Sequence, residues 1–495
     1  MRRLYQRGPA VSGAPLARRS RVVLWGLSVS MRQAYGTIRV SERQLLADAT
    51  VCALAVAVAT AVRLGRSPWT AVVAGIACVW CHRRAVAVVL VCSLALVGVW
   101  RAEGAWTDLA PRELGAYEGW GVLVDDPQPY GGATRVLIEI DGQRYETWQR
   151  GRGARARAAA WRSGDRIRVS GQRVALDEGR GRRVAWQHVV GRFELDWVSD
   201  VSIGRPVDRA SNRVRAAIER GAASLPGDDG TLFRGLVVGD DREQPPAMLE
   251  RFRASGLSHL TAVSGQNVSF LLAAAGPVLV RLRPWWRWVV TLALIAWFVS
   301  LTRFEPSIVR AGVMAGLSAT GYVLGRERSP FRLLCWAVIG LLLVDPLLAW
   351  SVGFWLSVGA TGGVTTVGPW LAGHLGRLGP VAMPVGVTLG AQAGVVIPAV
   401  LVFGRLPLVS VPANLLAIPV AGFVMLYGLP AGLVAGFVPP AAAVVMFPCR
   451  IGVRWVDTVA ALGQRLEPGG ATTWVGWGVL VAVLVAMIGG VDRSG

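Results

Sequence analysis

Lysine is missing from this chain. All 52 of its Lys-plus-Arg positions are arginine, against 31 acids, for a formal net charge of +21. The choice of Arg over Lys follows from a GC-rich genome, but the excess of base over acid points to an anionic partner, either lipid head groups or nucleic acid. Histidine is scarce as well. The four present, His82, His188, His259 and His374, are far apart and none sits in a metal-ligand pattern. That excludes a His-clustered metallohydrolase, and neither a metal nor a cofactor is expected. Cysteine is limited to Cys52, Cys78, Cys81, Cys92, Cys335 and Cys449, with none between 102 and 255, so no disulfide scaffold is expected there. Cys78-Val-Trp-Cys81-His82 has the spacing of a c-type haem site, yet Arg83 and Arg84 follow at once. Basic residues mark the cytoplasmic side, the wrong face for haem attachment, so no haem is expected. There is no Walker-type nucleotide loop, so any ATP-driven motor is a separate chain. Residues 1–43 lack the apolar core of a signal peptide and read as a disordered, Arg-rich cytoplasmic tail.

Apolar residues dominate what remains. They make up 53% of the 495 residues, and mean hydropathy is +0.45. Repeated apolar runs of span length predict a polytopic α-helical membrane protein with ten to twelve spans. Three of these lie in 44–101, so a chain starting in the cytoplasm would leave 102–205 outside. That region alternates with period two in Trp120–Asp125, Arg135–Asp141, Arg166–Ser170 and Val184–Val190, which predicts an extracytoplasmic small β-barrel. Between Arg144 and Arg183 there are 12 Arg and 4 acids. Arg144, Arg150, Arg152, Arg155, Arg157, Arg166 and Arg168, with Trp148 and Trp161 among them, suit single-stranded nucleic acid: arginines track phosphates and rings stack on bases. A solvated Arg-rich hairpin reads the same way. Residues 206–255 read as amphipathic connecting helices, and 256–492 as the main transmembrane domain. The stretch 438–465 fits either a span or an interfacial helix.

One apolar region opens with an unexpected polar element. Residues 256–270 hold Ser258, His259, Thr261, Ser264, Gln266, Asn267 and Ser269. Each such group is costly in hydrocarbon unless protein or water satisfies it, so the cluster marks a solute path or polar helix–helix glue. No single helical stripe holds all of them, which predicts either an element enclosed by protein or an unwinding at Ser264-Gly265. Ser264 and His259 stand five apart and would point away from each other on a helix, which argues against a nucleophile–base pair, and no enzyme is expected. Pro306-Ser-Ile-Val-Arg310 predicts a helix start with a cation one turn inside, lining an anion's path or snorkelling. Asp345-Pro346 reads as an N-cap. Asn414, between Pro412 and Pro419, predicts an interrupted helix.

Ser255-Gly-Leu-Ser-His-Leu-Thr-Ala-Val-Ser-Gly-Gln-Asn-Val268 resembles the signature of the ComEC competence family. Gly235–Asp240, Pro306–Met314, Asp345–Ser357 and Ser410–Pro419 resemble further segments of that family in order. The basic β region, notably Ser163–Gly171, resembles its external OB-fold domain. The resemblance implies a channel that imports one DNA strand across the cytoplasmic membrane in natural transformation, with His259, Ser264, Gly265, Gln266, Asn267, Arg310 and Asn414 along the path. It implies the lipid bilayer and separate DNA receptor, pilus and motor proteins as partners. It also implies a form without the metallo-β-lactamase-like domain that many members carry, so that any nuclease would be another polypeptide. The competing reading is a small-solute transporter or intramembrane enzyme using the polar seam around His259–Asn267.

Overall fold

The structure is a computed structural model that describes residues 42–80, 85–202, 204–261, 264–326 and 329–492. Most of the expected tail, and the Cys81-His82 pair, lie outside these residues. Helices α1 (Glu42–Leu64), α2 (Pro68–Trp80) and α3 (Ala85–Asp108) come first. Gly65 takes a φ of +57° at the turn between the first two, a conformation open to glycine.

The β domain follows, with β1 (Gly115–Leu123), β2 (Gln128–Tyr130), β3 (Ala133–Ile140), β4 (Gln143–Arg150), β5 (Arg166–Ala175) and β6 (Val189–Ser202). Asp141 and Gly142 both have positive φ, which matches the twist of a tight β3–β4 hairpin. β1 pairs with β5 along its length and with β3 through Val122↔Glu139 and Leu123↔Ile138. β5 pairs with β6, β6 lies parallel to β4, and β4 pairs with β3, so the pairings return to β1. Leu123, Val136, Ile138, Tyr145, Ile167, Val169 and Phe193 fill the interior. Two sequence expectations change here. The Arg-rich stretch after β4 is not a hairpin but helix α4 (Arg152–Ala159), then β5, then α5 (Glu178–Val184). Residues 184–188 are not strand: Asp177 caps α5 by accepting from the Arg180 N–H, a 3₁₀ turn covers Ala185–Gln187, and His188 is left-handed at φ 59°. Strand geometry resumes only at Val189.

Next come α6 (Pro206–Ala222), α7 (Asp229–Val238), α8 (Pro246–Ala254), α9 (Ser258–Thr261), α10 (Gly265–Leu279), α11 (Pro284–Leu301), α12 (Pro306–Val323) and α13 (Pro330–Val344). Then follow α14 (Val352–Thr365), α15 (Val367–His374), α16 (Ala382–Phe403), α17 (Ser410–Phe437), α18 (Ala442–Leu466) and α19 (Gly470–Asp492). Among the described residues, five helical segments are long and apolar enough to cross a membrane: Ala85–Asp108, Pro284–Leu301, Gly376–Phe403, Ser410–Phe437 and Gly470–Ile488. Several other apolar runs in the sequence resolve into shorter pieces. The run from 347, for instance, is a 3₁₀ turn (Pro346–Trp350) and then the 14-residue α14.

Small residues set the closest helix contacts. Gly359 and Gly363 of α14 abut Gly394 and Gly390 of α16 so tightly that a Cβ at any of them would strike backbone. Gly221 of α6 meets Gly432 of α17 in the same way, and Gly436 meets Ala217. Such stripes let backbones approach where lipid provides no hydrophobic drive. α18 buries Met446, Cys449, Val453, Val456 and Ala460 on one face. α17 corrects one expectation. It runs unbroken through Asn414, because Pro412 falls in its first turn, where N–H groups have no helical acceptor, and Pro419 is accommodated inside.

Side-chain contacts show which helix ends lie beside the β domain. His188 Nε2 is 3.0 Å from Asp345 Oδ2, after α13. Arg303, between α11 and α12, reaches Asp126 at 3.1 Å. At the far end of α13, Arg332 pairs with Asp48 of α1 at 2.6 Å.

Candidate functional site

The polar element does unwind. Ser264 is extended (φ −109°, ψ 157°) and α10 starts at Gly265. Ser264 Oγ donates to Asn267 Oδ1 at 3.1 Å, and the Asn267 amide donates to the Leu236 carbonyl of α7 at 3.4 Å. Asn267, 4% exposed, therefore ties the start of α10 to α7. Beside it, Val237, Phe270, Phe298 and Met425 line a cavity of about 20 Å³, room for about one water. His259 and Gln266 are exposed.

Arg310 sits one turn inside α12, which opens with Pro306 as expected. It is 4% exposed. Its hydrogen bonds among the described residues go from Nε to Ser357 Oγ (2.9 Å, α14) and from Nη1 to Met314 Sδ (2.9 Å). Neither partner is charged. Its Nη2 lies against Gly265: a Cβ there would be only 2.7 Å away. Gly265, Asn267 and Arg310, which are distant in sequence, are thus gathered around the start of α10. Asn414 is not gathered with them. It lies on α17 eleven residues from Met425, about 16 Å along a helix. Asn414 is buried, and its Oδ1 has no hydrogen-bond partner among the described residues. One turn before it, Ser410 Oγ accepts from Gln392 of α16 at 2.9 Å.

On the β domain the arginines divide. Arg150, Arg152, Arg157, Arg166 and Arg168 are exposed, and Arg155 is half-buried. Arg144 is engaged with the Gln187 carbonyl at 3.1 Å, and Arg168 pairs with Glu118 at 3.2 Å. Trp148 is half-covered, with Tyr130 edge-on and the Arg180 guanidinium over its ring. Trp161 is a correction. It is 5% exposed, inside the domain core, and offers no face to a base. Sequence reasoning missed Trp120 and Trp197, 41% and 43% exposed. Trp120 stands opposite Arg168 in register and under Arg166, and Trp197 stands opposite Ser170. Their period-two positions in β1 and β6 were the available signal.

A buried ionic junction was also missed. Asp126, after β1, pairs with Arg303 and with Arg215 of α6 (3.3 Å) and accepts from the Ser163 N–H. Asp240, after α7, is held by Arg242 at 2.7 Å, with Arg215 and Arg234 at 3.8 Å. Burial alone would raise the Asp240 carboxyl, but the hydrogen bond and charge of Arg242, with Arg215 and Arg234, hold it well below the carboxylate range. Other acids near this junction go the other way. Burial and the Asp126 charge push Asp125 up to about 6. Partial desolvation, with the Asp125 and Asp241 charges nearby, pushes Glu305 up to about 7, although its side chain still reaches solvent. Burial and Asp240 raise Asp241. The junction joins the β domain to α6, the α7–α8 connection and the α11–α12 connection.

The profile of a family described as "Competence protein" matches residues 236–494. The chain is 28% identical over 211 residues to ComE operon protein 3 of Bacillus subtilis, covering 42% of this chain and 27% of that protein. It is 30% identical over 222 residues to competence protein ComA of Neisseria gonorrhoeae, covering 42% of this chain and 30% of that protein. An uncharacterized Escherichia coli protein, YcaI, is 28% identical over 207 residues, 39% of this chain and 27% of that one. The matched region spans less than a third of each relative. No solved structure matches the chain.

Proposed function

This chain belongs to the competence protein family, and from that premise we propose that it carries single-stranded DNA across the cytoplasmic membrane during natural transformation. The N-terminus is cytoplasmic and the β domain extracytoplasmic. The Arg-rich start of the chain supports that orientation, since basic residues are retained inside. The β domain is an OB-like barrel, a reading supported by strand pairings that run β1-β5-β6-β4-β3 and return to β1, with β4 and β6 parallel. The strand meets the domain at Arg166, Arg168 and Trp120, with Arg150, Arg152 and Arg157 along its edge. It then passes His259, Ser264, Gly265, Gln266 and Asn267, with Arg310 beside them and Asn414 deeper on α17. A separate receptor, pilus and cytoplasmic motor deliver and pull it.

One observation carries this reading. Arg310 is a buried cation whose hydrogen-bond partners are uncharged, in a segment where an uncompensated charge is costly and is retained for function. A polyanion supplies the missing compensation. A carrier of small solutes has no use for the Arg/Trp face of the β domain. The test is transformation frequency, alongside membrane abundance, for Arg310→Leu and Asn267→Leu in a host competent with the wild-type protein. Loss of transformation at normal abundance is expected. If frequency and abundance fall together, the residues are structural; if both variants transform normally, the path lies elsewhere.

A further inference from the structure

Two positive features lie side by side at the start of α10. A helix N-terminus carries about half a positive charge on N–H groups that no helical carbonyl accepts. Of the first three N–H groups of α10, that of Asn267 bonds to the Ser264 carbonyl at 3.0 Å, while those of Gly265 and Gln266 have no acceptor among the described residues. Against this end lies the Arg310 guanidinium. Its Nε and Nη1 are occupied, and Nη2, without a hydrogen bond among the described residues, is directed at Gly265. Arg310 is 4% exposed, so little water screens the approach. The two features repel unless an anion joins them.

We infer that Arg310 Nη2 and the Gly265 and Gln266 N–H groups form a binding station for one phosphodiester group. This deepens, and rests on, the reading that a nucleic-acid strand passes here. The station takes a tetrahedral oxyanion with two free oxygens: one accepts from the guanidinium, the other from the helix start. It sits beside Gly265 rather than over it, because that residue already touches the cation. Glycine is required there, since a Cβ would lie 2.7 Å from Nη2 and 2.9 Å from the Ala311 Cβ. The station reads charge and shape and ignores the base.

The test uses the full chain in detergent micelles and two probes, a thymidine dinucleotide with a phosphodiester link and its uncharged methylphosphonate counterpart. Binding is measured by titration calorimetry in a background with Trp120, Arg150, Arg152, Arg157, Arg166 and Arg168 all changed to alanine, which removes the proposed β-domain contacts. The phosphodiester should bind, and the methylphosphonate should bind at least tenfold more weakly. Arg310→Gln should lose at least tenfold in phosphodiester affinity. Arg310→Lys, which keeps charge but not the planar fork, should lose less. Gly265→Ala, which displaces the guanidinium while keeping its charge, should also weaken binding and serves if Arg310→Gln does not accumulate. Equal affinity for the two probes, or unchanged affinity in both Arg310→Gln and Gly265→Ala, overturns the station. The uptake reading is judged separately by transformation: if the station binds but Arg310→Gln transforms normally, the site is real and the strand does not use it.

Discussion

Trp161 and Trp120 lie in one domain but in opposite surroundings, the first 5% and the second 41% exposed. Truncating the buried ring leaves a cavity, so Trp161→Ala should cost about 3–5 kcal/mol of stability. Trp120→Ala should leave the melting temperature unchanged and weaken binding of an oligothymidylate by about 1–3 kcal/mol, read by fluorescence anisotropy on the full chain. Equal effects of the two changes on folding would remove Trp120 from the binding face. Glu305 and Asp125 give a pH signature. Their folded pKa values of about 7 and 6 stand above ordinary values of 4.5 and 3.8. Below the ordinary values both states are protonated and there is no penalty. As pH rises, the unfolded chain ionises first, and the folded state bears a penalty once pH passes the folded values, smaller at Glu305, whose side chain reaches solvent. Stability should therefore fall between about pH 4.5 and 7. Asp240, held low, contributes no slope in that window, since it stays ionised in both states. Glu305→Gln should flatten the melting-temperature profile; superimposable profiles for variant and wild type would refute the assignment.

Among the elements, α14 and α16 depend most on having nothing in a particular place. A Cβ on Gly390 would lie 2.6 Å from the Gly363 carbonyl and 2.6 Å from the Gly368 nitrogen. Gly390→Leu should separate the helices and prevent accumulation in the membrane, and Gly390→Ala should already cost about 1–3 kcal/mol. Gly340 on α13 has nothing within 4 Å, so Gly340→Ala is the control and should be neutral or stabilising by up to about 1 kcal/mol. Thermal melting distinguishes the two. Legibility in the sequence followed locality. The unwinding before Gly265 was one of two readings left open by the lack of a single polar stripe, while the start of α12 at Pro306 and the Asp345 cap were readable because proline and an N-cap act within one turn. The continuity of α17 was not, because prolines near helix starts and inside membrane helices lose less than proline's local rule implies. Nor were α4 and α5 readable, since their arginines hid any apolar period.

At the scale of the molecule, the ionic junction was invisible in sequence for a different reason. Asp126, Arg215, Asp240 and Arg303 come from four separate segments, and each alone reads as a solvated loop or helix face. Breaking such a buried set from one side strands the remaining charge. Arg303→Ala should cost about 3–5 kcal/mol, and Asp126→Asn in the same chain should recover part of it. A double-mutant cycle in thermal melting gives the coupling; strict additivity would mean that the pair does not interact.

The same junction has a mechanical meaning. A β domain on a slack tether would swing freely against the helices. Here oppositely charged groups of the β domain, α6, the α7–α8 connection and the α11–α12 connection meet out of water. A load on the domain would reach the helices through Arg303, seven residues before Arg310 on the same stretch of chain, as well as through Arg215 and the His188–Asp345 contact. These contacts make the domain a bracket rather than a flap, fastened at more than one point.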